Sequence, residues 1–167
     1  MPGIPNVPGT FGAPFLACFR EGRALRAVVA RSGPFCDLGL YDHGSQKLLW
    51  QRIVGDTVSG LVLADLDGDK APEIVYATEA GWVVAVDRGG KTLWARPLTD
   101  AVLALARVGA LLAAACEDGR VTFLDNRGKA KAIAHTPPGR PWLAPAELRG
   151  KPTLAVASGS RVALYQP

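Results

Sequence analysis

Four carboxylates are gathered in one short stretch near the middle of the chain. They stand at relative positions 1, 3, 5 and 9: Asp65, Asp67, Asp69 and Glu73. Alternate residues of a tight loop turn their oxygens toward one centre, and Gly68 permits the bend. Calcium takes about six to eight oxygen ligands, and a backbone carbonyl and water would complete the set. The spacing therefore predicts a calcium site that is structural rather than catalytic.

An ordinary turn is the alternative interpretation of the same stretch. Aspartate and glycine are common turn residues, so Asp65 would do no more than cap the end of a strand. Lys70 would then neutralise part of the negative charge. Against this, clustered aspartates without a cation repel one another. Both interpretations stay open on the sequence alone.

No arrangement of residues typical of an enzyme accompanies this loop. The two histidines, His43 and His135, have no neighbouring serine or cysteine that would serve as a nucleophile. The tripeptide from Gly90 to Thr92 imitates the end of a phosphate-binding loop, but it closes a hairpin and no helix follows. We therefore expect a protein that is not an enzyme.

The elements that position the loop are strands, because the chain repeats itself. Residues Gly81–Lys91 align with Gly119–Lys129 at an offset of 38, sharing glycine, valine, aspartate and lysine at matching positions. Residues 74–79 match residues 112–117 at the same offset. Earlier and later copies lie at Leu40–Trp50 and Arg161–Gln166. Such a period of short apolar runs and glycine turns is typical of β-propeller blades.

The repeat divides the chain into four units, at about 13–54, 55–98, 99–137 and 138–167. Residues 1–12 form an extension or a closing strand. We predict an all-β fold, a small β-propeller of about four blades built from four-stranded antiparallel sheets, with the last blade incomplete. The predicted strands are Pro14–Arg20, Leu25–Arg31, Cys36–Asp42, Lys47–Ile53, Ser59–Asp65, Glu73–Thr78, Trp82–Asp87, Thr92–Arg96, Ala101–Arg107, Leu111–Cys116, Val121–Asp125, Ala130–Ala134, Trp142–Leu148, Thr153–Ser158 and Arg161–Gln166.

Fifteen strands leave one missing from the sixteen that four blades need. The N-terminal stretch Ile4–Phe11 would supply it from within the chain, although its prolines suit only an edge strand. A three-stranded blade that ends the array is a second possibility. Two chains joined into an eight-bladed ring, or docking on a larger partner, is the third. All three stay open on the sequence alone.

Two known repeats resemble parts of this sequence. Residues Gly81–Asp87 with Gly90–Trp94 resemble the repeat of pyrroloquinoline-quinone-like propellers, and Asp65–Val75 resembles the aspartate-rich loop of FG-GAP and integrin-α-like propellers. The first resemblance implies that Trp50 and Trp94 dock between adjacent blades. Together the two resemblances cover about residues 40–98. The quinone-binding residues that the first resemblance would imply do not map onto this chain. The resemblance therefore implies architecture rather than dehydrogenase activity.

Charge and aromatic residues indicate where a partner would bind. The net charge is +4, and from Gly119 onward eight basic residues face two acidic ones. We expect a non-enzymatic interaction or scaffold module, an accessory subunit that binds a protein partner, with a homodimer as a further option. A quinoprotein-like ligand-binding propeller and a nucleic-acid binder are the alternatives. The candidate interface residues are Trp82, Trp142, Arg127, Lys129, Lys131 and Arg140.

The cellular setting follows from what the sequence lacks. No apolar run reaches the roughly 18 residues that span a membrane, and the first residues lack the basic and apolar regions of a secretory signal. The three cysteines, Cys18, Cys36 and Cys116, have no Cys-x-x-Cys spacing and each falls in an apolar stretch. We expect reduced cysteines that pack in the interior, no membrane insertion and a cytoplasmic protein.

Overall fold

The architecture is taken from a computed structural model of the chain, which describes residues 15–31, 36–136 and 140–167. These residues form fifteen strands in four antiparallel sheets. In each sheet every strand pairs with the next one along the chain. The predicted extension over residues 1–12, with its candidate closing strand, lies outside the described residues. The all-β prediction is confirmed.

Each sheet is one blade of the predicted array. Blade I comprises β1 (Phe15–Glu21), β2 (Ala24–Arg31), β3 (Asp37–Asp42) and β4 (Lys47–Ile53). Blade II comprises β5 (Val58–Ala64), β6 (Glu73–Thr78), β7 (Trp82–Val86) and β8 (Thr92–Pro97). Blade III comprises β9 (Val102–Val108), β10 (Leu111–Cys116), β11 (Arg120–Leu124) and β12 (Ala130–His135). Blade IV comprises β13 (Pro141–Leu148), β14 (Lys151–Ser158) and β15 (Arg161–Tyr165).

The repeated aspartate–glycine turns form the hairpins that the sequence predicts. In blade II the Asp87 carboxylate accepts hydrogen bonds from the backbone N–H groups of Gly89, at 2.9 Å, and Lys91, at 2.8 Å. Asp125 repeats this pattern in blade III. Gly90 closes the turn with a φ of 82°, a left-handed conformation that glycine adopts without steric cost.

The core lies between the blades rather than inside any one of them. Three apolar clusters join blade I to II, II to III and III to IV. Small residues allow the sheets to approach closely: a Cβ built on Gly60 of blade II would lie only 2.7 Å from the Leu105 Cβ of blade III. The three central alanines of β10 are fully buried. Each blade is therefore stabilised mainly by its neighbours.

Two tryptophans link adjacent blades, as the resemblance implies. The Trp50 indole N–H of blade I donates to the Arg88 carbonyl of blade II at 2.7 Å. The Trp94 indole N–H of blade II donates to the Asn126 carbonyl of blade III at 3.0 Å. In blade III the same repeat position holds Ala132, and there the Tyr165 hydroxyl of blade IV donates to the backbone carbonyl of His135.

A buried carboxylate ties together three strands of blade I. Asp37 on β3 is only 1% exposed. It accepts hydrogen bonds from Arg31 on β2, with the Nε donor at 2.7 Å, and from the Gln51 amide on β4. Burial alone would raise the pKa of Asp37, but the hydrogen bonds from Arg31 and Gln51 together with the arginine charge lower it overall.

We expect Asp37→Ala to destabilise the fold by about 1–3 kcal/mol, because Arg31 and Gln51 lose their shared acceptor. A folded-state pKa below the ordinary value means that the charged form contributes stability. That contribution is complete above about pH 5 and is lost as the pH falls through the folded-state pKa. Urea unfolding of the wild type, Asp37→Ala and Asp37→Asn between pH 7 and pH 3 measures it. A gap between wild type and Asp37→Asn that does not narrow in acid would contradict the assignment.

The cysteines differ in part from the expected packing role. Cys116 is buried, and burial raises the pKa of its thiol to about 11, so the thiol stays protonated at neutral pH. Cys18, in contrast, is exposed on β1, where it alternates along the strand with the partly buried Ala17 and the buried Phe19. None of the described residues forms a helix long and apolar enough to cross a membrane.

Candidate functional site

The aspartate loop leaves the end of β5 and returns to the start of β6. One carboxylate oxygen each of Asp65, Asp67 and Glu73 lies within 4.8 Å of the other two. Asp69 is not part of this group. Its Oδ2 instead accepts a hydrogen bond from Arg88 at 2.7 Å. The structure therefore brings together three of the four predicted calcium ligands.

Hydrogen bonds within the loop hold the carboxylates in place. Asp65 accepts from the backbone N–H groups of Gly68, at 2.7 Å, and Lys70, at 3.1 Å. Asp67 accepts from the Asp69 N–H at 3.0 Å. Gly68 and Lys70 both adopt positive φ, at 87° and 70°. The bend predicted at Gly68 is present, and the loop is folded by its own side chains.

Glu73 is the buried member of the group, with 3% of its surface exposed. Its Oε2 accepts the Leu66 N–H at 2.8 Å. Burial raises the pKa of Glu73, the hydrogen bond from Leu66 opposes this, and the charges of Asp67 and Asp69 raise it further. A cation between the three carboxylates would relieve this repulsion. Three carboxylates fall short of a full calcium shell, so backbone carbonyls and water would have to supply the remainder.

The loop is anchored to the next blade through Asn126. The Asn126 side-chain amide donates to the Leu66 carbonyl at 2.8 Å, while the Asn126 carbonyl accepts from Trp94. A cleft of about 450 Å³ opens at this junction, lined by Leu66, Asp67, Leu93, Trp94, Asn126 and Arg127. Sequence reasoning missed Asn126. Its position in the turn, one repeat after Arg88, was the only signal available.

The predicted interface residues are distributed over two regions. Arg127, Lys129 and Lys131 are exposed on the β11–β12 hairpin, and Arg140 is exposed just before β13. Of these four, Arg127 also lines the cleft between blades II and III. The two tryptophans lie on separate blades: Trp82 is 42% exposed on blade II and Trp142 is 72% exposed on blade IV. The structure does not bring them into one surface.

A third feature emerges when equivalent positions of the blades are compared. One position on the third strand always pairs with an alanine of the second strand: Leu38 with Ala30, Val83 with Ala77, Val121 with Ala115 and Val162 with Ala157. In blades I to III this residue is fully buried against the next blade. In blade IV it is Val162, which is 69% exposed. Leu164, two residues on, is 58% exposed.

The face of each blade that is turned toward the preceding blade is covered in blades II to IV and exposed in blade I. Every blade has a leucine at one position of its first strand: Leu16, Leu61, Leu105 and Leu143. In blades II to IV this leucine packs into the core cluster shared with the preceding blade. In blade I it is Leu16, which is 66% exposed. Among the described residues, the array thus ends in two uncovered apolar faces, one on blade I and one on blade IV.

Comparison with known proteins decides the architecture. No protein-family model and no curated protein matches this sequence. Among solved structures, the chain superposes on BBS1N, solved in complex with ARL6DN and soaked with mercury, with a TM-score of 0.75, 16% identity and coverage of 96% of this chain and 53% of the other. It superposes on BamB from Moraxella catarrhalis with a TM-score of 0.66, 19% identity and coverage of 95% and 48%. The chain is a β-propeller array.

The extent of these similarities is informative. The propeller array spans about half the length of BBS1N and of BamB. It also superposes on the computationally designed Ika4 protein, with a TM-score of 0.69 and 16% identity, and there the coverage is 96% of this chain and 95% of the other. At these identities the similarity shows the fold alone. The four blades therefore superpose on part of each of the two longer chains and on nearly the whole of the designed protein.

Proposed function

We propose that this propeller array is a non-enzymatic interaction module that binds protein, as an accessory subunit of a larger assembly. The observation that carries the proposal is the uncovered apolar face of blade IV, formed by Trp142, Val162 and Leu164. Large apolar groups collected on one surface usually mark a protein interface. Tryptophan in particular is enriched among the residues that dominate binding energy.

The similarity to BBS1N supports a protein partner in general terms. That propeller was solved in complex with ARL6DN, so the same architecture presents a surface to another protein there. The architecture also suits the role physically. Rigid stacked sheets position their exposed edges, loops and end faces with little loss of conformational entropy on binding.

The proposal is tested by native mass spectrometry of tagged protein recovered from its own cells. We expect the wild type to carry a partner mass, and Trp142→Glu to lose it, because a buried unpaired charge would oppose association. Ile133→Glu is the matched control, since Ile133 is 59% exposed on an outer strand of blade III, away from the end face. A wild type recovered only as a stable monomer would contradict the proposal.

Nucleic-acid binding remains an alternative prediction. It would depend on the exposed basic residues Arg127, Lys129, Lys131 and Arg140, and affinity would fall steeply with salt. The quinoprotein-like alternative would place a ligand in a cleft such as the one at Trp94. We favour protein binding over both because three large apolar side chains of the C-terminal blade, Trp142, Val162 and Leu164, are more than half exposed.

A structural calcium ion in the aspartate loop also remains a proposal. It is supported by the convergence of Asp65, Asp67 and Glu73 within 4.8 Å. At a calcium concentration about 100 times the dissociation constant, binding would stabilise the fold by roughly 2.7 kcal/mol. For a chain of this size that corresponds to a rise in Tm of roughly 5–10 °C.

The measurement compares thermal unfolding in calcium and in chelator. We expect Asp67→Asn to abolish the calcium-dependent rise in Tm, because Asp67 makes one internal hydrogen bond and would be mainly a ligand. Asp118→Asn is the control, since this exposed carboxylate lies in the β10–β11 hairpin of blade III and outside the group. An identical Tm of the wild type with and without calcium would favour the ordinary-turn interpretation.

A further inference from the structure

The two uncovered end faces are the two halves of a contact that already occurs inside the chain. Each internal junction places the first-strand leucine of one blade against the face of the preceding blade. These leucines are Leu61, Leu105 and Leu143. Leu16 on blade I is the fourth member of this set, and it has no preceding blade among the described residues.

The surface that such a leucine meets can be located from one junction. Leu105 packs on Gly60, where an added Cβ would lie 2.7 Å from the Leu105 Cβ. Gly60 pairs with the alanine Ala77 of its own blade. The residue of blade IV in the equivalent position, paired with Ala157, is Trp142. The exposed tryptophan therefore stands where the leucine of a following blade would pack.

The β3–β4 turn of blade I and the three described strands of blade IV agree with this pairing. Gly90 and Gly128 receive the tryptophan of the preceding blade and adopt φ values of 82° and 72°. In blade I the matching residue, four positions before Trp50 as Gly90 is before Trp94, is Gln46, with a φ of 56°. A side chain there is unsuited to a docked indole. The three described strands of blade IV include no counterpart of Trp50 or Trp94. A junction between blade IV and blade I would therefore place no indole of these strands against Gln46.

Resting on the proposed function as an interaction module, we propose that the partner of the end faces is a second copy of this chain, joined head to tail. Blade IV of each copy packs against blade I of the other, with Leu16 of one copy on Trp142 of its partner, and the two junctions close an eight-bladed ring with two-fold symmetry. The chain length agrees with such a ring, since this chain covers 53% of BBS1N and 48% of BamB, so that two copies match the length of one longer propeller chain.

Sedimentation equilibrium of the purified full chain tests the proposal. We expect a mass of about twice the 17.6 kDa of one chain. Leu16→Lys and Trp142→Glu should each raise the dimer dissociation constant by at least about 100-fold, because each puts an unpaired charge into both junctions. Both side chains are exposed in a single copy, so circular dichroism should show folded monomers. Ile133→Glu, on an outer strand, should leave the dimer intact.

A mixture of the Leu16→Lys and Trp142→Glu variants provides the decisive test. A mixed dimer has one unchanged junction and one in which the introduced lysine meets the introduced glutamate, so the mixture should dimerise although neither variant does alone. A monomeric wild type, or a monomeric mixture, would overturn the proposal. So would a dimer that Trp142→Glu dissociates and Leu16→Lys does not, since that pattern indicates blade IV meeting blade IV. Oligomers larger than two copies would overturn ring closure.

The outcome is separable from that of the proposed function. A purified chain that is monomeric, while the protein from cells loses a different partner on Trp142→Glu, would overturn the second copy as occupant and leave the interaction module standing. A purified dimer with no other mass recovered from cells would support the second copy. It would identify the ring itself as the assembly.

Discussion

Gly128→Ala is expected to destabilise the propeller by about 2–5 kcal/mol, although it adds a single methyl group. Gly128 has a φ of 72°, and an added Cβ would lie 2.6 Å from Cε3 of Trp94. Left-handed backbone costs a residue with a Cβ about 1–2 kcal/mol. Overpacking against a ring held by its hydrogen bond to Asn126 adds about 1–3 kcal/mol. Urea unfolding measures the sum as a shift in midpoint at unchanged slope.

Gly150→Ala is the matched control for this substitution. Gly150 has nearly the same φ, 73°, but an added Cβ there meets nothing within 4 Å. It should therefore show only the backbone cost of about 1–2 kcal/mol. The difference between the two variants isolates the contact with Trp94. Equal losses would mean that the indole moves aside and is not fixed in the junction.

A double-mutant cycle adds a second check on the same contact. Trp94→Leu removes the ring that the new methyl group would strike, so Gly128→Ala should cost less in that background. We expect a coupling of about 1–2 kcal/mol between the two positions. Additive effects would show that the glycine is needed only for its backbone conformation.

The strands were predictable because both of their determinants are local. Apolar runs bounded by glycine turns place β7 at Trp82–Val86, against a predicted Trp82–Asp87. The shift of one residue lies at the turn, where the Asp87 carboxylate caps the hairpin and the Asp87 backbone N–H closes it by donating to the Lys91 carbonyl at 2.9 Å. The repeat then extends the same assignment to β11, where Asp125 does likewise.

The candidate site was predictable only in part, because it depends on contacts between distant segments. The spacing of the aspartates suggested four ligands, but Asp69 accepts hydrogen bonds from the nearby Ala71 N–H and from Arg88, a residue of the following hairpin. Asn126 bridges the loop from a different blade. Neither the Arg88 contact nor the Asn126 contact leaves a pattern in the local sequence. The exposure of Val162 likewise depends on which blades are present, since its repeat partner Val121 is completely buried.

The strand count predicted from the sequence left blade IV one strand short, but the structure shows that an added strand would not cover its exposed apolar residues. Blade IV has three described strands, yet its central strand β14 is largely buried on the side that faces blade III. The apolar surface that blade IV leaves in solvent is the face turned away from blade III, in addition to the open edge of the sheet. A partner that covered the edge by adding a strand would leave Trp142 and Val162 in solvent. A partner that stacks a sheet would cover them, and stacking is how the other blades are stabilised.

The contrast between Phe123 and Leu164 measures how much that stacking contributes. The two residues occupy equivalent positions, each paired with an alanine: Ala113 for Phe123 and Ala155 for Leu164. Phe123 is 2% exposed and packs against blade IV, whereas Leu164 is 58% exposed. We expect Phe123→Ala to cost about 3–5 kcal/mol through lost burial and the cavity left behind. Leu164→Ala should cost less than about 0.5 kcal/mol in a single copy.

Protein concentration separates the two variants further. Unfolding at dilutions that leave single copies should show a large loss for Phe123→Ala and almost none for Leu164→Ala. At concentrations where two copies associate, Leu164→Ala should become costly, because its side chain then lies in a junction like the one around Phe123. The loss from Phe123→Ala should persist at every concentration, since its junction lies within one chain. If Leu164→Ala were as costly as Phe123→Ala at every dilution, the face of blade IV would be covered within the single chain, and the end faces would not be open to a partner.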